Sequence, residues 1–171
     1  ETKGQDILIR ALGVLKRDGV LNWHVTFLGG VGNSKEILEK LVKENDIENY
    51  VSFIPPKEHS FIEEHLCDYD LLIQPSRNEG FGLTAAEAMA AKVPVIVSNL
   101  EALLEVIDGG KCGLYFDVNS EVDLANKIKM VIDGKYDHSI VESAYSRAMS
   151  LFSVDSTTNT YMLNYKEMTI K

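Results

Sequence analysis

The sequence has 171 residues, the length of one ordinary domain and enough to bury a core without disulfide or metal staples. Its 17 Lys and Arg stand against 26 Asp and Glu, a net charge of −9, which excludes a basic nucleic-acid face or a polybasic membrane patch as the main theme. A small anionic ligand stays open, because a helix N-terminus with one or two lysines can hold it locally.

In chain order, Ile7, Leu8, Ala11, Leu12 and Leu15 make one apolar helix face, ended by Gly19. His24 to Leu28 is a short apolar strand that halts at Gly29-Gly30. Asn33 with Glu36 predicts a capping box, and the helix behind it carries Ile37, Leu38, Leu41 and Val42. Tyr50 to Ile54 is the next strand, stopped by Pro55-Pro56, and Ser60 to Cys67 a short helix. Leu71 to Gln74 is a strand ending at Pro75. A glycine loop, Ser76 to Gly82, leads into an alanine-rich helix, Leu83 to Ala91. Val93 to Val97 reads as a buried strand, Leu103 to Ile107 as a short helix, and Gly113 to Phe116 as a last strand. Three helices follow: Ser120 to Ile132, with Asp123 in its first turn, then Ser139 to Met149 and Asp155 to Lys166.

Strands alternating with helices define an α/β domain with a mostly parallel sheet and helices on both faces. Six strands are expected if the segment before Gly113 supplies one, with the C-terminal helices packed outside. No repeat, low-complexity tract or linker divides residues 1–171, so a single domain is expected. The sequence opens Glu1-Thr2-Lys3-Gly4 without Met, and reads as a piece of a larger protein. No signal-peptide pattern opens it, and no apolar run approaches the roughly 20 residues of a membrane span. Cys67 and Cys112 lack metal-ligand spacing, and reduced thiols in a cytosolic protein are the expectation.

The most informative stretch is QPSRNEGFGLTAAEAMAAKVPVIV, Gln74 to Val97. A strand, a glycine loop and a helix start expose backbone N–H groups that suit an anion. Gly80 and Gly82 remove side chains where a ligand would approach the backbone, and Phe81 and Leu83 supply amides without charge. Glu79 lies in the loop, and Glu87 on the second helical turn leans toward the helix start. Carboxylates repel phosphate, so their use is to accept hydrogen bonds from ligand hydroxyls. Phosphate on the amides and one hydroxyl set on each Glu describes a nucleotide-sugar. Equally, the glycines could only make a turn and the two Glu be solvated helix charges.

Glu79, seven residues, then Glu87, inside EGFGLTAAEAMAAKVPVI, resembles the signature of the retaining glycosyltransferases of family 4, also called group 1. The resemblance runs along the whole chain: Thr2-Lys3-Gly4-Gln5-Asp6, Phe27-Leu28-Gly29-Gly30, Val51-Ser52-Phe53, Asp70 to Ser76, then Phe152-Ser153-Val154 with Tyr161 and Tyr165. It implies the GT-B architecture, two Rossmann-like domains facing across a cleft, of which this sequence resembles the C-terminal, donor-binding one. It implies that the catalytic Glu79 faces the donor sugar without being a nucleophile. It further implies that the amides of Gly80, Phe81, Gly82, Leu83 and Thr84 meet sugar and diphosphate, and that Glu87 holds the ribose. Lys3 would neutralise the diphosphate; the family's arginine a few residues earlier would fall before Glu1.

The implied reaction moves a sugar from a nucleotide-diphospho-sugar to an acceptor hydroxyl with retention, in polysaccharide or glycoconjugate synthesis. The acceptor would be a sugar, a lipid-linked or a protein group. No cofactor, no metal and no nucleic acid are expected. The setting would be the cytoplasm or the inner face of the membrane, with membrane association through the other half. Glu101 and Ala102 stand where many members have paired glycines, and Pro55-Pro56 where a glycine is usual, so sugar and base preference stay open.

A nucleotide-binding or regulatory module without transfer is the alternative. An epimerase would need a full dinucleotide fingerprint, which Gly29-Gly30-Val31-Gly32 lacks. Gly29 and Gly30 either let the strand end near the donor phosphates or make a plain turn. Arg77 is expected in solvent, with a ligand phosphate as its other reading. His24, His59, His65 and His138 show no ligand pattern.

Overall fold

The computed structural model describes residues 2–29 and 35–153. Within them the order is α1 (Gln5–Arg17), β1 (Val25–Leu28), α2 (Lys35–Glu44), β2 (Val51–Ile54), α3 (His59–His65), β3 (Leu72–Gln74), α4 (Leu83–Ala90), β4 (Val95–Ser98), α5 (Glu101–Val106), β5 (Leu114–Phe116), α6 (Glu121–Ile132) and α7 (Ser139–Leu151). The expected alternation is present, with five strands among the described residues where six were expected. The segment before Gly113 is a 3-10 turn, because Asp108, Gly109 and Gly110 have φ of 51°, 62° and 104°, a path no strand follows. Asn33, Gly30, Tyr161, Tyr165 and the helix expected over Asp155 to Lys166 lie outside the described residues.

All ladders are parallel. β1 pairs with β2, Phe27 opposite Phe53, and β3, β4 and β5 form a second ladder with Ile73 opposite Ile96 and Val97 opposite Tyr115. Parallel neighbours need a crossover, and α2, α4 and α5 supply one each between successive paired strands.

β4 shows how the layers arise. Its residues Val95, Ile96, Val97 and Ser98 are all buried, so both faces must be covered. Side chains alternate across a strand. Ile96 joins a core built from α1, α2 and α6, including Ile9, Leu12, Leu41 and Leu124. Val95 and Val97 join a second core built from α4, α5 and α7, including Met89, Leu103, Val106 and Ala148. Helices therefore flank both faces, and α6 and α7, which no described strand follows, pack on α1 and α4. The alanines of α4 are explained by this position: Ala85, Ala86 and Ala88 are buried where small side chains let α4 sit close to β3, β4 and α7. Ser120 caps α6 as expected, its Oγ accepting from the Asp123 N–H at 3.2 Å. Leu12 is fully buried, and its truncation to Ala should cost about 2–5 kcal/mol.

Candidate functional site

Pro75 ends β3, and the loop that follows turns sharply at Gly82 into α4. Gly82 has φ of 105°, and a Cβ there would lie 2.5 Å from Leu103 Cδ2. Backbone conformation and packing both demand glycine at this point. Gly80 differs: nothing lies within 4 Å of where its Cβ would be. Among the described residues no packing fills that space, which leaves the backbone open to approach. Ser98 Oγ donates to the Ser76 carbonyl and ties the loop to β4. Leu83 and Thr84, both exposed, form the first turn of α4, where backbone N–H groups lack intrahelical partners.

The N-terminal segment is laid against this loop by Gly4. Its φ is 65°, and a Cβ would lie 1.8 Å from the Pro75 carbonyl oxygen. The Arg77 N–H donates to the Thr2 carbonyl at 2.8 Å. Lys3 is thereby delivered to Glu79, 76 residues away, with Nζ 2.7 Å from Oε2. Gln74 Nε2 donates to the same oxygen at 2.9 Å and Ser76 Oγ at 3.3 Å. The Lys3 hydrogen bond holds the Glu79 carboxyl below the ordinary carboxylate range; burial opposes it, and the Gln74 hydrogen bond adds to it. Glu79 is thus a charged, oriented carboxylate at neutral pH. Gln74 Oε1, on the other side of that carboxamide, is buried with no hydrogen-bond partner.

A cleft of about 350 Å³ opens beside Glu79, lined by Asn78, Glu79, Leu100, Glu101, Ala102 and Glu105. It runs between the loop that holds Asn78 and Glu79 and the start of α5. Glu87 lies on the second turn of α4, half-buried, and its carboxylate makes no hydrogen bond or ion pair among the described residues. Its Cα is about 6 Å along the axis from that of Leu83, at about 1.5 Å per residue. Phe81 packs edge-on against Phe152 at 5.3 Å between ring centres. Lys3, Glu79, Gly80, Phe81, Gly82, Leu83, Thr84 and Glu87 therefore share one region. Gly29 follows β1, with its N–H on the Ile54 carbonyl at 3.1 Å; Gly30 lies outside the described residues.

Arg77 corrects both sequence readings. It does not hang free in solvent, and its guanidinium is engaged within the fold. Its two terminal nitrogens grip both oxygens of Asp6 at 2.7 Å, and Nε donates to Asn119 Oδ1 at 2.6 Å. Planar forks match carboxylates in this way, and Asp6 is held below its ordinary value chiefly by that hydrogen bond. Sequence reasoning also missed Gln74 and Ser76 as partners of Glu79. The available signal was polar side chains ending an apolar strand, since buried polar groups need partners.

Among the described residues no group of three His, Cys, Asp or Glu could hold a metal ion, and no helix is long and apolar enough to cross a membrane. Cys67 is exposed and Cys112 buried, and both are free thiols. His59 pairs with Glu63 on its own helix, and His65 with Asp68.

In an open α/β sheet a ligand site lies outside the carboxyl ends of the strands, which is where the glycine loop and the Glu79 carboxylate stand. Residues 1–147 match the family described as glycosyl transferases group 1, and the chain belongs to that family. It is 32% identical over 172 residues to a D-inositol 3-phosphate glycosyltransferase of Corynebacterium jeikeium, across 97% of this chain and 41% of that protein. Its fold is similar to that of Anabaena HepE, solved in complex with UDP, with a TM-score of 0.82 at 23% identity over 96% of this chain and 46% of that one. It is also similar to the C-terminal domain of the group 1 glycosyl transferase LpcC from Francisella tularensis, with a TM-score of 0.77 at 27% identity over 90% of this chain and 81% of that one. The chain spans about two fifths of the length of the curated relatives it matches, 43% and 41%.

Proposed function

We propose that this chain is the donor-binding half of a retaining glycosyltransferase and holds a nucleotide-diphospho-sugar between the Glu79 loop and the first turns of α4. The observation that carries the reading is the convergence of Lys3, Gln74 and Ser76 on one oxygen of Glu79 beside an open cleft and the exposed first turn of α4. The amides of Gly80 to Thr84 take the diphosphate, Glu79 the sugar hydroxyls and Glu87 the ribose. Lys3 sits where it can exchange Glu79 for a phosphate oxygen. Likeness to the fold of HepE, which was solved with UDP, makes uridine the first base to test.

In the transfer step the bond from the sugar's anomeric carbon to the diphosphate breaks. A new bond to the acceptor oxygen forms on the same face, and the acceptor's proton passes to the leaving diphosphate. Glu79 stays a carboxylate near the positive charge that develops on the sugar. No step asks for a metal or cofactor. The acceptor side belongs to a second Rossmann-like half, so this chain alone binds nucleotide without transferring sugar. A thermal-shift panel of UDP-, GDP- and ADP-sugars tests the reading. A ligand at 100 times its dissociation constant stabilises by about 2.7 kcal/mol. A panel in which no nucleotide-sugar raises the melting temperature contradicts it.

A further inference from the structure

The cleft beside Glu79 is rich in hydrogen-bond acceptors and poor in cations. Three of its six lining residues are glutamates, and none is Lys, Arg or His. Glu79 is compensated by Lys3, Gln74 and Ser76, all on Oε2. Glu101 and Glu105 are exposed, and their carboxylates make no hydrogen bond or ion pair among the described residues. They stand four residues apart on α5, on one face, an arrangement of like charges that weakens a helix. Arg147 does not relieve them, because its guanidinium is held by the backbone carbonyls of Glu105 and Val106.

We propose that Glu101, seconded by Glu105, sets donor selectivity, so that the cleft admits an uncharged sugar and rejects one carrying a carboxylate. This rests on the reading that the cleft takes the sugar of the donor. Ionised carboxylates only accept hydrogen bonds. A uronate placed there finds no donor among the three carboxylates, and with Glu79 paired to Lys3 it still meets the uncompensated charges of Glu101 and Glu105 inside a Debye length. The hydroxyls of a neutral hexose supply the donors these acceptors lack.

The test is calorimetry on this chain with the glucose and glucuronate diphosphate esters of uridine, guanosine and adenosine, and with the matching nucleoside diphosphates. The glucose ester of the preferred nucleoside should bind at least about tenfold tighter than its glucuronate ester. Glu101→Gln keeps size and removes charge, and should shrink that ratio by about threefold or more. Glu105→Gln should move the ratio the same way, which guards against a fault in one variant's folding. Nucleoside-diphosphate binding with equal affinity for the two esters, or a ratio unmoved by Glu101→Gln, overturns this inference and leaves the donor-binding reading standing. Failure to bind any of the nucleotides overturns both.

Discussion

Two ion pairs lie within three residues of each other in the same loop, and they are built for different work. Arg77 meets Asp6 through a matched fork, both side chains about 30% exposed, and its third nitrogen is taken by Asn119. The pair welds three places together: the start of α1, the loop after β3 and the loop before α6. Lys3 meets Glu79 with one ammonium, 59% exposed against 15% for the carboxylate. A single exposed ammonium can leave at small cost, because exposed pairs contribute about 0–1 kcal/mol. The contrast teaches that the rigid cation is the anchor, while the loose one keeps the mobility that its proposed part as a reagent requires. Both sit where they do because Gly4 lets the N-terminal segment lie on Pro75.

Breaking that shared support should have the largest effect. Gly4→Ala puts a methyl on the Pro75 carbonyl in a left-handed backbone, and should cost about 3 kcal/mol in chemical denaturation. It should weaken both pairs together. A variant with unchanged stability would show that the two segments are not held in this contact.

Next in size is Glu79→Gln, measured in the two-domain protein proposed above. Turnover should fall about a hundredfold, because developing charge on the sugar loses a nearby carboxylate. Affinity for the free nucleoside diphosphate should hold or tighten slightly as repulsion falls and Lys3 is released. Equal losses in turnover and in diphosphate affinity would give Glu79 a general donor-binding role. No loss in either would return it to the surface.

Asp6→Asn sharpens the other side of the comparison. It should cost about 1 kcal/mol of stability while changing nucleotide affinity by less than about threefold. Asp6 and Glu79 are both held below their ordinary values of 3.8 and 4.5, so the stability they contribute is complete at neutral pH and is lost as pH falls through their folded-state values. Asp6→Asn should therefore flatten the acid limb of the stability profile, and an acid limb identical to that of the parent chain would refute the anchor.

The smallest effect belongs to Lys3→Ala. Stability should hardly move, and nucleoside-diphosphate affinity should fall about fivefold. A stability loss as large as that of Asp6→Asn would erase the distinction between anchor and reagent.

Much of this was legible in the residues, for reasons of period and punctuation. Apolar runs bounded by glycine or proline gave the strands within two residues, and Ser120 with Asp123 marked its helix. Local chemistry could not reveal contacts between distant segments. Nothing near Arg77 announces Asp6, 71 residues away, so an arginine beside a glycine loop read as a solvent or phosphate group. Lys3 and Glu79 were both marked as donor residues, yet their mutual pairing needed the path that Gly4 makes. The carboxylates of Glu101 and Glu105 entered only once α5 was seen to wall the cleft, starting two residues before the helix that its apolar pattern predicts. The sixth strand failed because positive φ at Asp108 is invisible in a pattern that looks only at hydrophobicity.

The most direct measurement is the nucleoside-diphosphate affinity of the parent chain beside that of Glu87→Ala, by calorimetry. Glu87 sits on the second turn of α4, half-buried and without a partner among the described residues, where the ribose should lie. A ligand hydrogen bond to a charged group contributes about 1.5–3 kcal/mol. Removal should therefore weaken the nucleoside diphosphate and its sugar ester alike, by about tenfold to a hundredfold. Unchanged affinity in Glu87→Ala, or a parent chain that binds no nucleoside diphosphate, would contradict a donor site at this helix.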